Sequence, residues 1–216
     1  MAAWGEMFNA FLATCTAERA DTRPYTPADY FAHVDGKPRA DGVRDFLTSR
    51  GITLPEGTPD DPPTAETVHG LGTRKNDAFN AVLARDGVAP YAGSVALLDT
   101  LRTLGIPLAV VSSSVNAPAV LAAAGLADRF VTVVDGQVAR DLGLAGKPAP
   151  DTFEYAAVAC GVTPQVSVVV EDAISGVRAG SSGPFALVVG VDRGVGAQAL
   201  TEAGADVVVT DLEELA

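Results

Sequence analysis

Residues 167–173 read Ser167-Val168-Val169-Val170-Glu171-Asp172-Ala173, an apolar run of strand length that stops on two adjacent carboxylates. It is one of several such runs in the second half of the chain, with Pro107–Val111, Ala186–Val191 and Asp206–Thr210. Helical segments alternate with them at Ser94–Leu104, Ala117–Ala124, Thr152–Cys160 and Ile174–Ala179, several closed by Gly105, Gly125, Gly161 or Gly180 as C-terminal caps. This alternation predicts an α/β fold, a parallel sheet with crossover helices whose ligands sit at the carboxyl ends of the strands.

Upstream the pattern differs. Residues 1–88 read as helices joined by polar loops with no convincing strand, and the stretch Pro55–Thr64, rich in Pro and Asp, reads as an exposed excursion. The expected organisation is therefore a helical domain over 1–88 followed by an α/β core over 89–216. Ala3, Trp4, Met7, Phe8 and Phe11 already carry a helical apolar pattern with no capping residue before it, as if a helix began in mid-stride.

Across 216 residues the formal net charge is −12 with only 15 Lys plus Arg, which argues against nucleic acid or an anionic membrane as partner, since both demand a basic face. A small molecule is the expected partner, met by a monomer. Cys15 and Cys160 are too few and too far apart for a disulfide framework or a zinc site and read as reduced packing residues. With no apolar run of about twenty residues and no secretion-signal order at the start, the protein is expected in the cytoplasm.

Three loops carry chemistry. In Val110-Val111-Ser112-Ser113-Ser114-Val115-Asn116 a strand stops at hydroxyls and a helix follows, offering Ser112 Oγ and backbone N–H groups to an anion. Taken alone, these serines read more simply as plain helix caps. Gly146-Lys147-Pro148-Ala149-Pro150-Asp151 holds a lysine in a stiff loop before a helix, a fixed ammonium suited to a phosphate. It is no P-loop, because Pro148 stands where Ser or Thr is needed. Glu171 and Asp172 close the strand that opens this section, and adjacent carboxylates repel unless a cation lies between them, which suits Mg²⁺. The alternative is that Asp172 complements a helix dipole.

The order and spacing of these loops resemble motifs two, three and four of the haloacid dehalogenase superfamily, and within it the β-phosphoglucomutase-like branch. Asp35-Gly36-Lys37-Pro38-Arg39 and Arg74-Lys75-Asn76-Asp77 are similar to two motifs of that branch's helical cap, so the likeness covers nearly the whole chain. It implies a Rossmann-like parallel core with a helical cap domain. It further implies that Ser112 bonds the transferring phosphoryl group, that Lys147 binds this group and the nucleophile, and that Glu171 and Asp172 hold Mg²⁺. Ser113, Ser114 and Asn116 would help bind phosphate or sugar oxygens. Gly36 would belong to the substrate-gripping loop, Arg39 would clasp the non-transferring phosphate, and Lys75 the substrate. Without the resemblance, Arg39 and Lys75 read as solvated charges.

The activity so implied is interconversion of β-D-glucose 1-phosphate and glucose 6-phosphate through an aspartyl phosphate, with a small phosphorylated sugar as partner. A sugar-phosphate phosphatase and a non-catalytic phosphosugar-binding protein are the rivals. The superfamily's first motif, Asp-x-Asp, occurs nowhere in these residues. The expectation is that Met1 is an internal residue, that the central core strand and nucleophile lie upstream, and that the chain is inactive as written.

Overall fold

Residues 2–17 and 20–216 are described by a computed structural model; the expectation attached to Met1 lies outside them. The chain divides into two units, residues 1–87 and 88–216. Each is built around its own core.

In the first unit, Trp4, Met7, Phe8, Phe11 and Leu12 share one face of α1 (Ala2–Thr14) and are buried. That face packs with Val43, Phe46 and Leu47 of α3 (Arg39–Ser49) and Val68 and Leu71 of α4 (Val68–Asp86). Phe8 lies at the centre, its ring 4.1 Å from that of Phe46 and 5.1 Å from that of Tyr25. The helix α2 (Pro27–Asp29) is started by Thr26 in a reciprocal capping box with Asp29 and runs into a π-helical turn, Tyr30–Val34. Asp29 also receives the Arg50 guanidinium at 2.9 Å, and Arg50, only 7% exposed, stacks over Phe46. This buried cation ties the loop before α2 to the end of α3. No strand occurs among the described residues of this unit.

The second unit alternates α5 (Ala92–Thr103), β1 (Ala109–Val111), α6 (Ala117–Ala123), β2 (Thr132–Val134), α7 (Gly136–Leu142), α8 (Asp151–Ala159), β3 (Val168–Glu171), α9 (Ile174–Ser182), β4 (Leu187–Val191), α10 (Ala197–Glu202) and β5 (Val207–Val209). All strand pairs are parallel, as the alternation predicts. The strands form two ladders, β1–β2 and β3–β4–β5, and no described pairing joins β1 to β3. Four residues of the central strand β4, Val188 to Val191, are buried, which is why its sequence shows no alternation. Phe153, Val169, Val177, Val188 and Leu200 make the core between helices and sheet.

Some expectations are corrected. Pro107 and Leu108 stand outside β1; proline has no N–H to give a ladder. The strand β2 and the helices α7 and α10 are additional to the elements read from the sequence, being short and lacking a long periodic signal. Gly105, Gly125 and Gly161 do end helices with positive φ, whereas Gly180 lies inside α9, where a Cβ would come within 3.1 Å of Val169 and Val188. Its role is close packing of the helix on the sheet. Among the described residues no helix is long and apolar enough to cross a membrane.

Candidate active site

The carboxyl ends of β1 and β3 meet at one ammonium group. Lys147 Nζ donates to the carbonyl of Val111, the last residue of β1, at 3.3 Å, and pairs with Glu171 Oε1 at the end of β3. The ammonium also lies over the face of the Phe153 ring in the first turn of α8, 4.9 Å from Nζ to the centroid. Both charged side chains are buried, at 6% and 9% exposure. Glu171 Oε2 accepts the N–H groups of Asp172 at 2.7 Å and Ala173 at 3.1 Å. Burial works against its ionisation, but the Lys147 charge and these hydrogen bonds outweigh it and hold the carboxyl below its ordinary range.

Ser112 follows Val111. Its N–H extends the parallel ladder to Val134 O at 2.9 Å, and its Oγ accepts the Ser114 N–H at 3.1 Å. Because Oγ acts there as acceptor, its own proton remains to be donated. Ser114 Oγ in turn accepts the Asn116 N–H at 3.2 Å. The serines therefore form successive hydroxyl turns before α6, whose N-cap is Asn116, so that Ser112 and Ser114 hold backbone N–H groups as a cap would, one turn earlier. The Ser114 N–H, expected to face an anion, is engaged by Ser112 Oγ. The N-cap of α9 is Ala173, with Asp172 one residue ahead of it.

The loop is backed by two residues whose structural role sequence reasoning does not foresee, although it names Asp135, with Asp35 and Asp99, as a reserve candidate for the nucleophile. Asp135, buried, accepts the N–H groups of Gln137 and Val138 and starts α7. Gly136 beside it lies against the Ser113 carbonyl, 2.6 Å from where a Cβ would stand. The Asp-Gly pair after an apolar triplet was the available signal, readable also as an ordinary turn.

Three of the residues expected to act together, Ser112, Lys147 and Glu171, are thus adjacent, with Asp172 next in the chain. The adjacent carboxylates supply hard oxygen donors of the kind Mg²⁺ takes, the rest of its shell coming from water or substrate. Among the described residues no three acidic, histidine or cysteine side chains cluster into a complete protein-made metal site.

Arg39, Lys75 and Gly36 belong to the other unit. Gly36, at φ 70°, turns the chain ahead of α3, whose first helical residue is Arg39. The Arg39 side chain lies against Gly72 of α4, where a Cβ would come within 3.3 Å of Nε. One turn on, Lys75 Nζ sits over the rings of Trp4 and Phe79 at 5.0 and 4.7 Å. Burial, joined by the Arg39 charge, pushes the Lys75 ammonium down to about 8. Two like charges placed together favour an anion between them. The aromatic bed of Lys75 had no sequence signal beyond the α1 apolar face.

Comparison with known proteins follows this geometry. Residues 2–183 match the haloacid dehalogenase-like hydrolase family. A β-phosphoglucomutase of Mycobacterium bovis is 54% identical over 220 residues, spanning 99% of this chain and 83% of that protein. Hexitol phosphatase A of Escherichia coli is 40% identical over 98 residues, 44% of this chain and 43% of that protein. Among solved structures, a β-phosphoglucomutase from Clostridium difficile superposes with a TM-score of 0.75 at 21% identity, covering 100% of this chain and 84% of that one, a likeness of fold.

Proposed function

Because the chain belongs to the haloacid dehalogenase-like hydrolase family, we propose that it serves a magnesium-dependent phosphoryl transfer interconverting β-D-glucose 1-phosphate and glucose 6-phosphate. The observation that carries this reading is the Lys147 ammonium, buried between Val111 O and Glu171 and one residue from the Ser112 hydroxyl. A fixed cation beside a free hydroxyl proton can stabilise the charge spread over a transferring phosphoryl group without reorganising. The 54% identity to a β-phosphoglucomutase supports the mutase over the phosphatase.

In this reading Ser112 Oγ donates to a phosphoryl oxygen, and Lys147 Nζ binds a second one. Ser113 and Asn116 line the same loop for phosphate or sugar oxygens, and Ser114 steadies it through Ser112. Glu171 and Asp172 would hold Mg²⁺, which when bound supplies charge neutralisation at the phosphoryl oxygens. Arg39 and Lys75 grip a second phosphate, which a bis-phosphorylated intermediate carries and a simple ester lacks. Gly36 gives the turn that presents Arg39. A nucleophile and an acid/base are needed besides, the roles the resemblance gives to Asp-x-Asp, a pattern not found in residues 1–216. The partner is a small phosphorylated sugar and the setting the cytoplasm.

Binding tests the reading without turnover. Isothermal titration with β-D-glucose 1-phosphate and Mg²⁺ is expected to show mutual enhancement, lost in Lys147→Met and weakened in Ser112→Ala. Independent binding of sugar phosphate and metal, or affinity unchanged in Lys147→Met, would overturn it.

A further inference from the structure

Glu171 folds back over the start of α9, and Gly176 is the residue that leaves it room. A Cβ on Gly176 would stand 2.5 Å from Glu171 Cγ and overlap its carboxyl group. Such overlap is cheap when the neighbour is the loose end of an exposed side chain. Here the neighbour is a buried carboxylate fixed from two sides, by Lys147 on Oε1 and by the Asp172 and Ala173 N–H groups on Oε2. Nor can the helix easily withdraw. Withdrawal would open a gap one turn further along, where the helix packs so closely on the sheet that a Cβ on Gly180 would stand 3.1 Å from Val169 and Val188, and the Gly176 N–H is tied to Ala173 O at 3.0 Å.

We propose that Gly176 is a positioning residue: the missing side chain leaves, between α9 and β3, the space in which the Glu171 carboxylate lies when it reaches Lys147, so any side chain there separates the pair. The consequence for function rests on the phosphoryl-transfer reading above. The consequence for the pair does not. A carboxylate pushed off Lys147 leaves the ammonium without its partner and turns the Glu171 oxygens away from a metal.

The test uses the full chain with ¹⁵N-labelled lysine and four variants. A buried, paired ammonium is protected from exchange and gives its own proton signal, assigned to Lys147 by its loss in Lys147→Met. Gly176→Ala is expected to abolish that signal and to weaken Mg²⁺ binding by roughly 10- to 100-fold, the range for loss of a group that orients a metal ligand. Gly176→Ala combined with Glu171→Asp, one methylene shorter, is expected to regain the signal, because the shorter stem makes room for the methyl. Gly180→Ala, which crowds only valine methyls, is expected to lower the melting temperature and keep the signal. A Gly176→Ala protein that keeps the wild-type signal would overturn the proposal. So would a double variant that fails to recover it, or that fails to fold when Gly176→Ala also fails. If the signal behaves as expected but the wild-type chain has no affinity for Mg²⁺, the phosphoryl-transfer reading falls and the role of Gly176 stands.

Discussion

Lys147 and Glu171, 24 residues apart in sequence, form a buried ion pair that closes the interval between the ends of β1 and β3. Among the described residues the hydrogen bonds of the two head groups run to each other and to the backbone of Val111, Asp172 and Ala173, and Lys147 Nζ also lies over the Phe153 ring. Desolvation makes such a pair a weak source of stability as a unit but a strong one against removal of either half.

Lys147→Met should therefore destabilise the core unit by about 3–5 kcal/mol, because Glu171 is left charged and unpaired in a buried place. Adding Glu171→Met should restore much of the loss. Urea unfolding of both singles and the double gives the coupling energy directly. A double variant no more stable than Lys147→Met would show that the pair is not coupled.

Arg50 offers a parallel case in the helical unit, where its guanidinium meets Asp29 at 2.9 Å, Asp21 at 3.2 Å and the Arg23 carbonyl at 3.1 Å. Replacing it by Met keeps most of the stem over Phe46 and removes the charge. The expected loss is about 3 kcal/mol, reported by unfolding monitored at Trp4. A shift within about 0.5 kcal/mol would mean that the two aspartates find adequate solvation without it.

Lys75 gives a pH dependence whose sign is fixed. Its ammonium, held down to about 8, loses its proton well below the ordinary lysine value of 10.5 that applies to the unfolded chain. Between those values the unfolded chain binds more protons, so folding stability should rise with pH through that window. Phosphate affinity should move the other way, falling as the pH passes about 8 and Lys75 becomes neutral. Lys75→Gln should flatten both curves. A stability curve of unchanged slope in that variant would sink the assignment.

Arg39→Ala should cost mutase turnover at least about tenfold more than hydrolysis of a small phosphate ester, in a catalytically complete form of the protein. Only a bis-phosphorylated intermediate offers the Arg39 guanidinium a distal phosphate. Equal losses in the two assays would instead assign Arg39 to packing against Gly72.

The core strands from Ala109 onward and the loops after them were legible because their runs are uninterruptedly apolar, although only β4 is buried on both faces and Val168 and Val170 of β3 and Val207 of β5 are exposed, and Ser112, Lys147 and Glu171 stand where those runs and the stiff Pro-rich turn direct them. Thr132–Val134 escaped notice because Thr132 interrupts its apolar run, whereas β1 and β5, of the same length, are unbroken, and yet β2 fixes Ser112 through Val134 O. What Gly176 and Gly136 do was opaque for a different reason, although Ser175-Gly176-Val177 already counts toward the likeness to the β-phosphoglucomutase-like branch. A glycine that matters by the atom it lacks declares itself only when the neighbour filling that space is known, and Glu171 and Ser113 come from outside the helices that hold these glycines. The Lys147–Glu171 pairing was hidden too, since either charge read alone points outward to a ligand.

The last expectation concerns turnover. Ser112, Lys147, Glu171 and Asp172 bind, orient and stabilise charge, but none is a competent nucleophile toward phosphorus in this arrangement: the ammonium is paired, Glu171 is tied through both oxygens, and the Ser112 hydroxyl has no base among its described hydrogen-bond partners. Asp-x-Asp, which supplies attack and proton transfer in the proposed reaction, does not occur in residues 1–216. This chain alone should bind β-D-glucose 1-phosphate and Mg²⁺ yet turn it over orders of magnitude more slowly than a form that also carries an Asp-x-Asp segment. Side-by-side assays of glucose 6-phosphate formation and phosphate release check this, with Asp→Ala at the first position of that segment as the control. Comparable rates from the two forms would refute it and direct the search for a nucleophile to Asp135, already close behind the Ser113 loop.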